Sequence, residues 1–280
     1  MNFITLFIIQ VVWFTQVDGG TVTCGSPVVQ TPTTSRIIGG SAAKLGAWPW
    51  QVLLTEINYP VCGGAVISEN VILTAAHCFE DQLSQDPQRW MATVGGIRTD
   101  VYEYTQRTYH VQKIIVHEAY NMTTVENDVA LLILSSNMVY SNYIRPVCLP
   151  DDDEAVPVGT VCYVAGWGAT RGTGDPKTLN HVALPIIGDE TCSRPDWYGK
   201  DFSPETSFCA GREAGGIDAC TGDSGSPLVC QNGSKWTVHG LSSWGYGCAE
   251  PKWPGIYTEV SKYTKWIKQH LNKRAFFVGK

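Results

Sequence analysis

Asp218-Ala-Cys-Thr-Gly-Asp-Ser-Gly-Ser-Pro-Leu-Val-Cys230 sets the terms for the rest of the chain. Ser224 lies between Gly222-Asp223 and Gly225, so the backbone can bend where a side chain would clash and can leave adjacent N–H groups pointing at a ligand. The turn runs straight into the apolar Pro227-Leu-Val-Cys230, which reads as a strand. A serine presented this way, beside amides and ahead of a rigid strand, suits a nucleophile whose attack creates an oxyanion. The bland reading of the same stretch is a Gly-Ser turn without chemistry, and the surrounding sequence decides between the two.

Outward from the turn, short apolar segments alternate with Gly, Pro and Asn. Trp50–Leu54, Gly64–Ser68, Val71–Thr74, Lys113–Val116 and Val129–Ile133 read as strands of a first half. Cys162–Gly166, Pro227–Cys230, Thr237–Leu241 and Gly255–Val260 read as strands of a second. With hardly any helical periodicity, this pattern predicts an all-β antiparallel sandwich or barrel. One helix is expected near the end, where Tyr263, Trp266, Ile267 and Leu271 share a face. Asp151-Asp-Asp-Glu154 between the halves reads as a solvated linker, residues 20–36 as an unstructured lead, and Arg274–Lys280 as a loose tail.

Composition bounds the function. Among 280 residues, 44% are hydrophobic and 16% charged, enough for a substantial core. The formal net charge of -6, with no run of Lys or Arg, argues against nucleic acid and against a basic membrane-surface patch. The 10 cysteines show no zinc-ligand C-x-x-C spacing, so they read as disulfides reinforcing a real core in an oxidising compartment. Phe3–Phe14 is an apolar run too short to span a bilayer and suited to a signal-peptide core, although no Lys or Arg precedes it. Cleavage is expected near Val17-Asp18-Gly19, giving a signal peptide over 1–19 and a secreted, extracellular protein. Asn121-Met-Thr123 and Asn232-Gly-Ser234 are glycosylation acceptors consistent with that route.

Two further stretches complete a constellation. Leu73-Thr-Ala-Ala-His77-Cys78 ends an apolar strand with a histidine beside a cysteine, and Glu126-Asn-Asp128 places an acid just before the apolar Val129–Ile133. Alone, each is a structural histidine or a turn-forming Asp. Together they supply what a serine hydroxyl lacks at neutral pH: a base within reach and a third group to hold that base.

Ile37-Ile-Gly-Gly40, Thr74-Ala-Ala-His77-Cys78, Asp128-Val-Ala-Leu131 and Gly222–Pro227 resemble, in order and spacing, the signature blocks of the chymotrypsin/trypsin family of serine endopeptidases. The resemblance runs from about Ile37 to Leu271. It implies two antiparallel six-stranded β-barrels packed together with a C-terminal helix. A peptidase domain over 37–280 would divide into halves at about 37–150 and 151–260, behind a propeptide over 20–36. By the same resemblance Ser224 is the nucleophile, His77 the general base and Asp128 its orienting acid, with the N–H groups of Gly222 and Ser224 forming the oxyanion hole. Because His77 must be neutral, activity is expected to rise through a pKa near 6.5 to 7.

The resemblance also assigns specificity and activation. Asp218 matches the acid at the pocket floor of members that cleave after Arg or Lys. Ala219, Ser243, Trp244, Gly245 and Gly255 fall at pocket positions, the glycines leaving the slot open. Ala219 stands where some relatives carry serine, so Arg is expected over Lys, and Thr221 stands at the entrance where many carry glutamine. Cleavage at Arg36-Ile37 would free an Ile37 ammonium to pair with Asp223 and order the site, so an inactive precursor is expected. The implied disulfides are Cys24–Cys148, Cys62–Cys78, Cys162–Cys230, Cys192–Cys209 and Cys220–Cys248, the first keeping the propeptide attached.

Two departures matter. Gly96 and Gln106 stand where calcium-binding relatives carry paired acids, so no metal and no cofactor is expected, although Asp100 and Glu103 lie nearby. The Asn121 acceptor precedes Asp128 in a loop that borders the cleft in relatives; a glycan facing outward without effect is the favoured reading there, and one that narrows access is the alternative. The expected partners are protein or peptide substrates with Arg or Lys before the scissile bond, an activating protease and protein inhibitors, with a monomeric enzyme. The competing class is a silent homologue acting as a binding or cofactor protein. Such proteins usually lose part of the site, whereas His77, Asp128, Ser224, Asp223 and Ile37 are all present. A serine esterase on an α/β fold disagrees with the order His, Asp, Ser and with the lack of alternating helices.

Overall fold

Valine-, leucine- and isoleucine-rich segments too short to make stable helices pair edge to edge here and close on themselves. The computed structural model describes residues 22–30, 40–169, 175, 177–216, 218–220 and 222–275. The expected signal peptide, Arg36, Ile37 and Thr221 lie outside the described residues. A short β1 (Ser41–Ala42) precedes β2 (Gln51–Glu56), β3 (Tyr59–Ser68), β4 (Val71–Thr74), β5 (Trp90–Val94), β6 (Arg107–Val116) and β7 (Ala130–Leu134). Strands β2 to β7 close into an antiparallel barrel in the order β2-β3-β4-β7-β6-β5. Every residue of β4 and β7 is buried, which their unbroken aliphatic sequences predict for strands covered on both faces.

The second barrel uses β8 (Val161–Gly166), β9 (Asn180–Ile187), β10 (Ser207–Ala210), β11 (Pro227–Asn232), β12 (Lys235–Trp244) and β13 (Gly255–Glu259). Its order is β9-β10-β13-β12-β11-β8, the pairing of β8 with β9 closes it, and β1 adds to β9 through Ser41 opposite His181. A one-turn helix α1 (Asp189–Cys192) connects β9 to β10, and α2 (Thr264–Ala275) ends the described chain. This is the expected pair of six-stranded barrels with a C-terminal helix.

The barrels meet through aromatic rings. Trp48 lies 5.2 Å from Trp236 and 5.6 Å from Tyr163, with Trp50 6.4 Å from Trp236. Trp48 and Trp236 meet edge to face and the other two pairs are tilted; a buried edge-to-face pair contributes about 0.5–1.5 kcal/mol beyond the area it covers. Disulfides Cys24–Cys148, Cys62–Cys78, Cys162–Cys230, Cys192–Cys209 and Cys220–Cys248 brace the fold. Among the described residues no helix is long and apolar enough to cross a membrane.

Several expected boundaries move. Trp50 lies just outside β2, and Val260 and Tyr263 belong to a 3-10 turn, Val260–Tyr263, between β13 and α2. Helix α2 continues through Arg274 and Ala275, which the sequence reading placed in the tail. The run Lys268-Gln-His-Leu-Asn-Lys-Arg-Ala275 is rich in good helix formers, and no Gly or Pro stops it. The acids Asp152 and Asp153 of the linker face α2 and its preceding turn, 3.7 Å from Lys265 and 3.4 Å from Lys262.

Candidate active site

Strand register brings His77 and Asp128 together. Strands β4 and β7 are antiparallel with Thr74 opposite Ala130, so the residues just after β4 run beside those just before β7. The His77 N–H donates to Asp128 Oδ1 at 2.8 Å, and His77 Nδ1 lies 2.7 Å from Asp128 Oδ2. With its backbone and ring both engaged, the imidazole is fixed in place with 20% of its side chain exposed, while that of Asp128 is 1% exposed. A third donor comes from the other barrel: Ser243 Oγ–H points at Asp128 Oδ2 at 2.5 Å. Burial pushes the His77 pKa down, but the charge and hydrogen bond of Asp128, then the charge of Glu80, outweigh it and hold the ring above its ordinary value. Glu80 is itself held by the hydroxyl of Tyr120.

The serine turn is pinned against the same strand end. Ser224 C=O accepts from Gly63 N–H at 2.7 Å, and Gly63 follows Cys62, whose disulfide partner Cys78 follows His77. Gly225 has φ +75 and lies so close to Thr74 and Ala75 that a Cβ would come within 3.0 Å of Ala75 N. Buried Ser226 accepts from Gln51 Nε2 at 3.1 Å. The N–H groups of Asp223, Gly225 and Ser226 donate to the carbonyls of Cys220, Ser242 and Asp223. Among the described residues, no bond within the turn uses the N–H of Gly222 or Ser224. Gly222 has φ +97, and a Cβ there would stand 3.1 Å from Gly168 Cα, so a side chain would be both strained and crowded. Among the described residues no hydrogen bond joins Ser224 Oγ to His77.

A cavity of about 210 Å³ opens beside Ser224. Asp218, Ala219, Ser243, Trp244, Gly245 and Gly255 all line it, while Thr221, placed at the entrance from sequence, lies outside the described residues. Asp218 Oδ1 accepts from Ala219 N at 2.8 Å. Burial dominates its titration and, against the backbone N–H groups of Ala219, Ala249 and Gly255, raises the carboxyl to about 7, with the charge of Asp223 adding to the rise. A Cβ on Gly255 would lie 2.7 Å from Asp218 Oδ1 and 3.0 Å from the Tyr257 ring. The buried Tyr257 hydroxyl, which has no hydrogen-bond partner among the described residues, is a polar group near this floor that the sequence reading missed.

Asp223 faces a second cavity of about 110 Å³, lined by Gly40, Gly166, Gly168, His181 and Asp218 among others. Its carboxylate accepts from Gly168 N at 2.8 Å and Cys220 N at 3.0 Å. Burial raises its pKa against those two bonds. Gly166 and Gly168 pack against it, and a Cβ on either would collide with the carboxylate.

Outside these cavities, Asn121 and Asn232 are exposed. Asn121 follows Tyr120 and so sits on the His77 side of the molecule. Around the segment where calcium was considered, Arg98 donates twice to Asp100, and Glu103 accepts from the Ile97 and Arg98 N–H groups. Among the described residues, the one tight group of metal-ligating side chains is Cys62, His77 and Cys78. Its two sulfurs are joined in a disulfide and offer no thiolate. The sequence model of the family described as Trypsin matches residues 37–267, a span that takes in both barrels, His77, Asp128, Ser224 and Asp218.

Proposed function

The chain belongs to the trypsin family of serine proteases, and from that premise we propose that it is a secreted endopeptidase cleaving after Arg, and less readily after Lys. Ser224 Oγ attacks the scissile carbonyl while His77 Nε2 takes its proton. The N–H groups of Gly222 and Ser224 receive the oxyanion, and collapse expels the leaving amine with the proton returned by His77. Water, activated by the same imidazole, then hydrolyses the acyl-enzyme. Asp128 keeps the proton on Nδ1 and balances the imidazolium that forms, and its bond from Ser243 fixes it for that task.

The observation that carries the specificity is that Ser224 and Asp218 line one cavity whose walls include Gly245 and Gly255. A buried carboxylate held only by backbone N–H groups needs a cation to offset its desolvation. A guanidinium presents a planar fork of donors to that carboxylate, whereas a lysine ammonium would want the hydroxyl that Ala219 lacks. The resting form is proposed to be a precursor with a signal peptide over 1–19 and a propeptide over 20–36, cut at Arg36-Ile37. The cavity beside Asp223 supports this reading, because Gly40 lines it and the Ile37 ammonium would enter only a few residues away. The enzyme would act as a monomer on protein or peptide substrates.

The test uses protein cut at Arg36 and freed of the cutting protease, with Ser224→Ala as the blank. Peptide amides ending in Arg, Lys, Phe or Ala are compared. Strong Arg and weaker Lys hydrolysis, lost in the blank, is the expected result. Phe hydrolysis would remove Asp218 from the pocket floor. Silence with a verified Ile37 terminus would make the chain a binding protein.

A further inference from the structure

The loop between β5 and β6 is bound to the second barrel more firmly than a surface turn requires. Ile97 C=O accepts two bonds from across the interface, from Leu179 N at 2.7 Å and Trp167 Nε1 at 2.9 Å. Thr99 N donates to Lys177 O at 3.0 Å, and Arg98 forms an antiparallel bridge with Thr178. Arg98 sits in the middle. Its Nε and Nη2 donate to both oxygens of Asp100 at 2.8 Å each, and its Nη1 lies 3.6 Å from Asp175 Oδ2. Asp175 in turn caps its own segment, accepting from Lys177 N and Thr178 Oγ1 at 2.9 Å each.

An isolated, partly exposed ion pair contributes little. What distinguishes Arg98 is where its anchors lead. Trp167, held by Ile97, is followed by Gly168, whose N–H donates to Asp223 and whose Cα backs onto Gly222. Asp223 and Gly222 are the two residues before Ser224. A continuous run of bonds thus passes from the first barrel's loop to the turn that presents the serine.

We propose that Arg98 is a positioning residue for the serine turn: by joining Asp100 of one barrel to Asp175 of the other, it fixes the Ile97–Trp167 contact from which Gly168 holds Asp223. The inference rests on the reading of Ser224 as nucleophile only for its kinetic consequence. The experiment therefore has two readouts: amide hydrogen exchange over 166–168 and 220–226, and kcat and KM on an Arg amide. In Arg98→Ala, exchange in both segments accelerates about 5-fold and kcat falls about 5-fold with KM within twofold, since the Asp218 floor is held elsewhere. Arg98→Lys, which keeps the charge but not the fork, recovers part of kcat. Asp175→Asn reproduces the loss, and the double variant loses no more than either single one. Should Arg98→Ala fail to fold, the Asp175→Asn change, at a half-buried position, carries the same reading. Unchanged exchange at 166–168, or kcat losses that simply add in the double variant, overturns the proposal. If the wild type cleaves no amide, the function assigned to Ser224 falls while the exchange data still judge the clasp.

Discussion

Asp128 and Asp218 are both carboxylates taken out of water, and the two barrels treat them in opposite ways. Asp128 receives the N–H and ring of His77 and the hydroxyl of Ser243, with Thr258 Oγ donating to its carbonyl. Its requirements are met inside the protein. Asp218 has backbone donors and an open cavity, and its carboxyl is pushed up to about 7. Asp223 follows the second pattern, with two backbone N–H groups and a cavity at its side. The first barrel's His77 and Asp128 thus form a finished proton-handling pair, completed by hydroxyls of the second barrel, while the second presents acids whose charge is balanced only when something cationic arrives. Proton transfer is prearranged, and selectivity waits on the guest.

Breaking the chemistry outright gives the largest effect. Ser224→Ala should lower kcat on the order of a millionfold, with binding of an Arg-ended peptide retained, as judged by equilibrium titration. Next comes the guest's partner. Asp218→Ser should cut kcat/KM for Arg amides about a thousandfold while leaving Ala amides within a few-fold, because truncating one member of a buried charge pair costs several kcal/mol. Loss of equal size on both substrates would show that Asp218 supports the fold instead of reading charge. Gly255→Ala places a methyl 2.7 Å from Asp218 Oδ1. It should reduce Arg cleavage about a hundredfold by blocking the slot's end, in the manner of an overpacked site.

A pH series separates the histidine from the pocket acid directly. His77 must be neutral to act as base, and Asp128 holds its pKa above the ordinary histidine value, so log kcat/KM should fall by about one per pH unit below that pKa for any substrate. Asp218 must be ionised to hold a cation and is neutralised below about 7. An Arg amide should therefore show a slope approaching about two, and an Ala amide a slope of about one. Matching slopes would contradict the contrast drawn here. Within this comparison of the two acids, the smallest effect belongs to Ser243→Ala. Removing one charge-assisted bond should lower kcat about tenfold, with KM for Arg less affected.

The serine turn, the histidine and the acid were legible because each carries its own local signature of glycines, small residues or a buried strand. The barrels were legible through aliphatic strands such as β4 and β7. Strand β9 escaped notice because it opens with Asn180-His181 and contains Pro185, and β10 because it is only Ser-Phe-Cys-Ala. Strand β5, Trp90-Met-Ala-Thr-Val94, alternates buried and half-buried residues, but Met91 is apolar like its neighbours, so the alternation is set by packing and is not written in the sequence. The bond from Ser243 to Asp128 spans 115 residues, and nothing local to either residue announces it. The same holds for Arg98 and Asp175, which meet only because two barrels are packed together.

The docking of residues 22–30 has a practical corollary. Gly25 exchanges bonds with Pro146 and Trp236, Arg145 reaches Ser26, and Cys24 is joined to Cys148. A single cut anywhere between Gln30 and Gly40 would therefore release nothing. An Edman sequencer would read two amino termini in every cycle, and a mass spectrometer would find one molecule heavier by a water until a reductant was added.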